Sequence, residues 1–576
     1  MIATQSPDKD LAGMDAIWVE VIANQIMGVA EEMASTLIRA SFSPNIKQRA
    51  DCSTAVLAPD GAVLAQAPRI PIHLGSMIGA IKHLLAHHPL DSLSPGDMFL
   101  ANDPYNGGGQ HLPDINFVAP VFFDGKVAAF VANIAHHADV GGMVAGSESS
   151  ICQTIFQEGL RLPPVAIMRG GVMNRDIQEI ITLNSRTPEE RHGDILAQIA
   201  ANTVGVKRLS DCLARYGHDR VLGACRHYLD ATERRFRTRL AEIPDGVVET
   251  SDALDPDLYG DGETIPIKLR LEKKGADLIL DFEGTGDQLP SARNLPVGAL
   301  HSTIYCVVKI LLDPDLPGNS GYFRAITVKT PEGTVVSPSP GAAVGCRALS
   351  SAVVGDIVAT ALSQLVPESA VAGSGPHHQA TFSGRDPSGG VWVDYETFAG
   401  AQGARPYQDG MDAVRIHASG ASNLPVEALE HAYPLIIERY ALRDDSGGAG
   451  QYRGGCGLIR DYRAMAPMSV SLSAERQAVA PRGMGGGSDG VTGAFIINPG
   501  RTDERRLPSA VGELAMAVGD VLSIRTPGGA GFGDARQRGR DRVERDLREG
   551  RISKETANTV YGLDGTSDAG AKEIKK

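Results

Sequence analysis

The chain has 576 residues, of which 42% are hydrophobic and 22% charged, with a formal net charge of −14. These values are typical of a globular protein of about two to four domains, and the negative charge disfavours nucleic acid as a partner. No apolar run approaches the length of a membrane span and the N-terminus lacks the features of a signal peptide, so we expect a cytoplasmic protein that does not contact a membrane.

The first hundred residues predict helices around paired strands. Apolar residues recur every three or four positions from Trp18 to Leu37, which predicts a helix that ends before Pro44. Residues 53–65 predict two strands joined by a turn, and residues 76–87 predict a second helix.

Two polar residues in this region have both a chemical and a structural interpretation. Asp51 follows the first predicted helix and could be a metal carboxylate, although a turn aspartate is the simpler interpretation. His73 precedes the second predicted helix, where it could act as a general base or could only cap or pack that helix.

Two polar, glycine-containing segments are the strongest chemical signal in the chain. Residues 102–114 read NDPYNGGGQHLPD, and residues 133–142 read NIAHHADVGG. Together they hold three histidines and three aspartates: His111, His136, His137, Asp103, Asp114 and Asp139. Imidazoles and carboxylates are the groups that bind divalent zinc, manganese or iron.

The residues between these segments predict how the segments meet. Residues 115–131 are apolar and contain the turn dipeptide Asp124-Gly125, which predicts a β-hairpin. A hairpin returns the chain, so both polar segments would lie at one end of it and could form a metal site. The alternative is two ordinary loops, with Asp103 in a turn and His136 as a satisfied core histidine.

The rest of the chain predicts helices, then strands, then glycine-rich loops. Thr187-Pro188 begins a predicted helix that continues through 191–216, and a further helix covers about 219–242. Strand patterns follow, with helices predicted at 298–312 and 350–365. We therefore expect an α+β, multidomain protein with mixed β-sheets and a mainly helical segment. The predicted regions are 1–173 (metal site, α+β), 174–245 (helical), 246–369 (α+β), 370–535 (glycine-rich, β-rich) and 536–576 (charged tail).

The remaining motifs argue against other chemistries. Seven scattered cysteines without a Cys-x-x-Cys pair indicate neither a disulfide framework nor a thiolate zinc site, and they suit the reducing cytoplasm. The loops 453–457 and 481–487 place an arginine beside glycines, which could hold an anion or could only form turns. No phosphate-binding loop of the Gly-x-x-x-x-Gly-Lys-Ser/Thr type is present, so the sequence offers no nucleotide site of its own.

Several motifs, taken in their order along the chain, resemble those of one protein family, hydantoinase B/oxoprolinase. They extend over residues 14–535 and are RADCS at 49–53, the two polar segments, QEGL at 157–160, NSR at 184–186, RHGD at 191–194, PGNSG at 317–321, GARP at 403–406, NLPVE at 423–427, DSGG at 445–448 and TPGGAGFG at 526–533.

The resemblance implies an enzyme subunit that works with a second protein. Members of the family include a subunit of N-methylhydantoinase, the C-terminal half of 5-oxoprolinase, and subunits of acetone and acetophenone carboxylases. They act with a hydantoinase A-like ATPase subunit, which binds ATP and magnesium and phosphorylates the substrate. A hetero-oligomer with two copies of each subunit is therefore expected.

The resemblance also implies roles for individual residues. The metal ligands are expected to be Asp51, His111 and one of His136 or His137, which point to opposite faces if they lie in a strand. Asp114 and Asp139 are expected to be further ligands or to orient the ligands. Together with His73, these two aspartates form the predicted catalytic set.

The predicted function is that of the metal-containing subunit of an ATP-dependent hydrolase acting on a cyclic amide or imide. The first alternative is the equivalent subunit of a ketone carboxylase, which would require bicarbonate. The second is a non-catalytic subunit that stabilises the ATPase, with a closed structural metal site.

Overall fold

The computed structural model describes residues 16–386 and 388–563; the last part of the predicted tail, 564–576, lies outside the described residues. The helices are, in chain order, α1 (Ala16–Ala40), α2 (Pro44–Lys47), α3 (Leu74–His87), α4 (Arg175–Leu183), α5 (Pro188–Tyr216), α6 (His218–Ala241), α7 (Val297–Leu312), α8 (Arg347–Leu365), α9 (Val426–Ala432), α10 (Arg540–Arg548) and α11 (Lys554–Thr559).

A seven-stranded antiparallel sheet organises the first part of the chain. Its strands are β1 (Cys52–Leu57), β2 (Val63–Pro68), β3 (Met98–Ala101), β4 (Asp114–Phe123), β5 (Lys126–His136), β6 (Val165–Arg169) and β7 (Val172–Met173). The strand order is β2-β1-β5-β4-β3-β6-β7. The predicted hairpin is β4–β5, and Asp124 and Gly125 both have positive φ at its turn, as a tight hairpin turn requires.

Helices cover both faces of this sheet because its central strands are apolar on both sides. Phe117 and Val131 face a core formed with α1, α5 and α6. Their neighbours Val118, Phe130 and Ala132 face a second core, which is formed with α3, α7 and α8. Successive side chains of a strand point to opposite faces, so one sheet serves two cores.

A mixed four-stranded sheet follows the helical segment. Its strands are β8 (Gly246–Leu254), β9 (Ile265–Lys274), β10 (Asp277–Asp281) and β11 (Ile326–Lys329). Only β10 and β11 run parallel, and α7 lies between them in the chain, as a parallel connection requires. The long helix α8 packs on β8 and β9.

The last large part of the chain is a pair of β-sheets. One sheet contains β12 (His378–Arg385), β13 (Val391–Phe398), β16 (Met468–Ser473) and β19 (Ala510–Met516). The other contains β14 (Leu435–Leu442), β15 (Leu458–Ala464), β17 (Ala494–Ile497), β18 (Arg505–Leu507) and β20 (Val521–Arg525). They share a core in which Phe382, Tyr462 and Phe495 are fully buried. Together with the helical segment between the sheets, this architecture confirms the predicted α+β class with mixed sheets.

The glycine-rich loops beside these sheets pack against one another. A Cβ at Gly454 would lie 2.0 Å from the Gly529 carbonyl oxygen, and one at Gly487 would lie 2.2 Å from the Gly531 carbonyl oxygen. The glycines therefore allow close backbone packing, and a bound anion is not needed to explain them.

One helix of the described residues, α8, is long and apolar enough to cross a membrane by length and composition. Of the 18-residue stretch of α8 that is this apolar, 78% is buried inside the protein. Its position between α7 and the mixed sheet makes it a core helix of this fold.

The crossing of α3 and α7 gives a stability prediction. A Cβ at Gly75 would lie 1.9 Å from the Gly298 carbonyl oxygen, whereas one at Gly79 would lie 3.6 Å from the flexible His83 ring. We expect Gly75→Ala to destabilise the fold by ~1–3 kcal/mol because backbone atoms must move apart. The matched Gly79→Ala in the same helix should be neutral or stabilising by up to ~1 kcal/mol. Chemical denaturation of both variants measures the difference, and equal stabilities would contradict the close crossing.

Candidate metal centre

Strand pairing brings three of the predicted residues to one end of the large sheet. Asp114 is the first residue of β4 and pairs directly with His136, the last residue of β5. On the other side of β5, the His136 N–H donates to the Asp51 carbonyl oxygen at 3.0 Å. The predicted hairpin thus places both polar segments beside the start of β1.

The loop before β4 adds His111 to this group. Asn102 holds the loop in place, since its side chain donates to the Leu112 carbonyl and accepts the Leu162 N–H. His111, Asp114 and His136 each offer a ligand atom, and these atoms lie within 4.8 Å of one another. All three side chains are buried.

The hydrogen bonds of His111 fix which of its nitrogens carries the proton. Nδ1 lies 3.0 Å from the Gly345 carbonyl oxygen, which can only accept, so Nδ1 carries the proton. Burial and the charge of Arg347 lower the pKa of His111, so the ring is neutral and Nε2 has a lone pair. This lone pair has no hydrogen-bond partner among the described residues and lies 3.4 Å from Asp114 Oδ2.

This arrangement fits a metal cation. Asp114 Oδ2 accepts from Arg347 at 2.6 Å and is therefore a carboxylate oxygen, so two lone pairs face each other without a proton between them. The second oxygen, Oδ1, is also buried without a hydrogen-bond partner among the described residues. A separation of 3.4 Å is about that of two ligands on one tetrahedral ion with ~2.0–2.1 Å bonds.

His73 and Asp51 complete the cluster on its open side. His73 Nε2 lies 3.5 Å from Asp114 Oδ1 and 3.7 Å from Asp51 Oδ1, so the ring stands between the two carboxylates. Its Nδ1 lies 3.3 Å from Ser53 Oγ. The Asp51 side chain is 10% exposed and borders a cavity.

Two other predicted residues lie outside the cluster. His137 points toward α5, where its Nε2 lies 2.9 Å from Gln198 Oε1, and burial lowers its pKa to about 4. Asp139 accepts the N–H groups of Gly141 and Gly146 and pairs with Arg186 at 3.0 Å. Both side chains therefore have their hydrogen-bond or ion-pair partners away from the cluster.

Glu148 belongs to the cluster, but sequence reasoning missed it. Its Oε2 lies 3.3 Å from His136 Nε2, and its Oε1 accepts from Gln379 at 2.6 Å. Burial raises its pKa, but the hydrogen bond with His136 and the nearby positive charges outweigh burial and lower it to about 2. The surrounding GSESS segment contains no motif that would have indicated this role.

A cavity of about 50 Å³ opens beside Asp51, His73 and His136. Its far wall comes from positions more than 200 residues later in the chain: Arg347, Ser351, His377, Gln379, Tyr395, Arg415 and His417. Tyr395 stacks on the His136 ring with 4.8 Å between ring centroids. None of these residues has a recognisable sequence motif, so the sequence alone did not identify them.

Comparisons with known proteins assign the family. The family model described as hydantoinase B/oxoprolinase matches residues 15–535. An uncharacterised protein of Methanocaldococcus jannaschii is 36% identical, with 95% of this chain and 96% of that protein covered. A Pseudomonas protein named as a subunit of a D-/L-hydantoinase is 32% identical, with 96% of both chains covered. The chain therefore belongs to the hydantoinase B/oxoprolinase family, as its motifs indicated.

The chain is also similar to part of a longer protein and to two solved structures. The 5-oxoprolinase 1 of Arabidopsis thaliana is 33% identical over 90% of this chain, which spans only 42% of that protein. The ATP-dependent caprolactamase of Pseudomonas jessenii superposes with a TM-score of 0.88 at 28% identity, covering 96% of this chain and 98% of that chain. An acetone carboxylase chain, at 19% identity and a TM-score of 0.88, shares the fold over 96% of this chain and 80% of that chain.

A buried carboxyl behind His111 gives a pH prediction. Glu158 accepts the Gly345 N–H at 2.6 Å, and burial raises its pKa from about 4.5 to about 8. The folded chain therefore binds this proton more tightly than the unfolded chain. The resulting stability is present below about pH 4.5 and is lost as the pH rises to about 8.

Glu158→Gln should remove this pH dependence, because the amide oxygen can still accept but cannot ionise. Compared with wild type, the free energy of unfolding of the variant should fall less steeply between pH 5 and 8, by up to ~1.4 kcal/mol per pH unit. The exposed Glu179→Gln is the control. Identical pH profiles for Glu158→Gln and wild type would show that the proton is not bound.

Proposed function

We propose that this chain is the metal-containing subunit of an ATP-dependent hydrolase of cyclic amides or imides. The observation that carries the proposal is the buried Nε2 lone pair of His111, which has no hydrogen-bond partner among the described residues and faces the carboxylate of Asp114. Such a pair is unfavourable in a protein interior unless a cation lies between the two groups.

The proposed metal ligands are Asp51, His111, Asp114 and His136. Asp51, Asp114 and the neighbouring Glu148 bring three carboxylates to the cluster, and Arg347 pairs with Asp114. Imidazoles and carboxylates are the groups that bind divalent zinc, manganese or iron. His137 is not in the proposed set because it binds Gln198 on the opposite side of the strand end.

Residues around the ligands hold them in orientation. The Gly345 carbonyl fixes the His111 ring, Arg347 fixes the Asp114 carboxylate, and Glu148 contacts His136. His73 stands between the carboxylates of Asp51 and Asp114, and we propose that it keeps them apart and in place. Such outer contacts set both the position and the basicity of metal ligands.

The cavity gives this cluster an open side, which favours catalysis over a purely structural metal. A bound ion of this kind lowers the pKa of water and polarises a substrate oxygen. Ile70, Ile72 and Ala418 form an apolar part of the cavity wall. Arg415 borders the same cavity, and we propose that its positive charge stabilises negative charge that develops on the substrate.

The energy source is proposed to lie on a second protein. Unstrained cyclic amides resist hydrolysis, and this chain carries no phosphate-binding loop motif. The relative named as a hydantoinase subunit and the ATP-dependent caprolactamase support a partner of the hydantoinase A-like ATPase type, which would bind ATP and magnesium. We propose a hetero-oligomer with two copies of each subunit. We also propose a cytoplasmic location, which suits seven cysteines that are all free and buried.

Metal content tests the proposed ligands directly. His111→Ala and His136→Ala should lose a near-stoichiometric metal ion, because each removes an imidazole ligand. His137→Ala is the matched control: it should retain the ion while losing ~1–3 kcal/mol of stability, because it removes the buried partner of Gln198. Plasma mass spectrometry and thermal unfolding of all variants give the result. Metal loss in His137→Ala alone would contradict the proposed ligand set.

Activity with an ATPase partner tests the reaction. The complex should hydrolyse a hydantoin or lactam with ATP consumption, and His111→Ala should abolish both metal binding and hydrolysis. Turnover of acetone or an aryl ketone that requires bicarbonate would instead support the carboxylase alternative. If His111→Ala loses the metal and the complex still hydrolyses the substrate with ATP, the metal is structural and the proposed mechanism is wrong.

A further inference from the structure

We propose that His417 and Asp356 form an acid–base pair that transfers a proton to the ring nitrogen of the substrate. This inference rests on the function proposed above. His417 lines the same cavity as Asp51 and His136, although it follows them by about 280 residues or more. Its Nε2 lies 2.8 Å from Asp356 Oδ1 on α8.

The carboxylate of Asp356 is fixed independently of the histidine. Both of its oxygens accept from the Ser374 N–H, and its Oδ2 pairs with Arg476 at 3.2 Å. Arg476 in turn pairs with Asp252. Asp356 is therefore held as a charged acceptor, and the proton of a neutral His417 ring lies on Nε2. The other nitrogen, Nδ1, then has the lone pair that accepts a proton.

Two features of the backbone hold the His417 ring in this position. His417 has a φ of 51°, a left-handed conformation that is uncommon for residues other than glycine. The ring lies against Gly355, where a Cβ would lie 2.6 Å from its Cγ and Cδ2 atoms. A side chain at position 355 would displace the ring. The glycine at this position therefore leaves the space that the His417 ring occupies.

The face of α8 that carries Gly355 also borders the metal centre. Arg347, Ser351 and Gly355 follow one another at intervals of four residues and so lie along one helix face. Arg347 contacts Asp114, Arg347 and Ser351 line the cavity, and Gly355 supports His417. One rigid helix therefore positions both the proposed ligands and the acid–base pair.

Hydrolysis of a cyclic amide needs such a group. Water adds its oxygen to the carbonyl carbon and gives up one proton, and the C–N bond breaks with its electron pair moving to nitrogen. His417 Nδ1 takes the proton from water and delivers it to that nitrogen, which leaves as an amine. One water is thereby added across the C–N bond. The phosphoryl group that the ATPase partner places on the amide oxygen stays on the ring-opened product as an acyl phosphate, from which a second water releases it as phosphate, so no oxidant or reductant is required.

Variants of His417 in the complete complex, with ATP and a lactam, test this role. His417→Gln keeps an amide that can donate to Asp356 but cannot carry a proton. We expect its kcat to fall ~10²–10⁴-fold with KM changed by less than about threefold, while metal content stays at the wild-type value. His417→Gly should be equally slow and should regain activity with added imidazole, a response that loss of a purely structural residue would not show.

A second pair of variants tests the position of the ring without touching its chemistry. Gly355→Ala should lower kcat by at least about tenfold because its methyl group displaces the His417 ring. Gly79→Ala is the matched control, since it adds the same methyl group in α3 at an ordinary 3.6 Å from the His83 ring and should leave kcat unchanged.

The outcomes separate this inference from the proposed function. If wild type hydrolyses the lactam and His417→Gln does so equally well, the inference is wrong and the proposed function stands. The inference is also wrong if His417→Gln loses its metal and imidazole does not rescue His417→Gly, because the role is then structural. A metal-loaded wild type that hydrolyses no cyclic amide would overturn the proposed function and the role of His417 with it.

Discussion

The register of the β4–β5 hairpin is the constraint on which the candidate site depends. It places Asp114 directly opposite His136, while the β1–β5 pairing sets Asp51 beside the same histidine. A shift of one residue would exchange the two faces of the strand and direct His137 toward Asp114. The register is firmly specified because Phe117 and Val118, like Val131 and Phe130, fill different cores on the two faces of the sheet.

Burial turns this geometry into an electrostatic requirement. His111 and Asp114 are fully enclosed, so water cannot satisfy the lone pairs that face each other there. Arg347, the first residue of α8, balances part of the negative charge by its ion pair with Asp114. A further positive charge is needed only because these residues are buried. In an open loop, water would hydrate the same side chains.

Local patterns predicted the strands and helices that surround the proposed metal ligands. The apolar run with Asp124-Gly125 predicted the hairpin, and helical periodicity predicted α1, α5, α6 and most of α8. The same pattern predicted opposite faces for His136 and His137, but the choice between them depends on where β5 ends and what packs behind it. The domain boundaries proposed from composition remain predictions, and the cavity wall draws residues from three of those regions.

The far wall of the cavity could not be predicted from the sequence, because tertiary packing alone creates it. Arg347, Tyr395 and His417 are single residues without a local motif, and tertiary packing brings them to the cavity from three separate parts of the chain. Gln379 shows the same dependence, since it holds Glu148 across 231 positions of the chain. Proton transfer by His417, unlike the proposed metal ligands themselves, would therefore depend on the packing of these later parts of the chain. A change that separates His417 from α8 would remove the proposed acid–base pair, even with every proposed metal ligand still present.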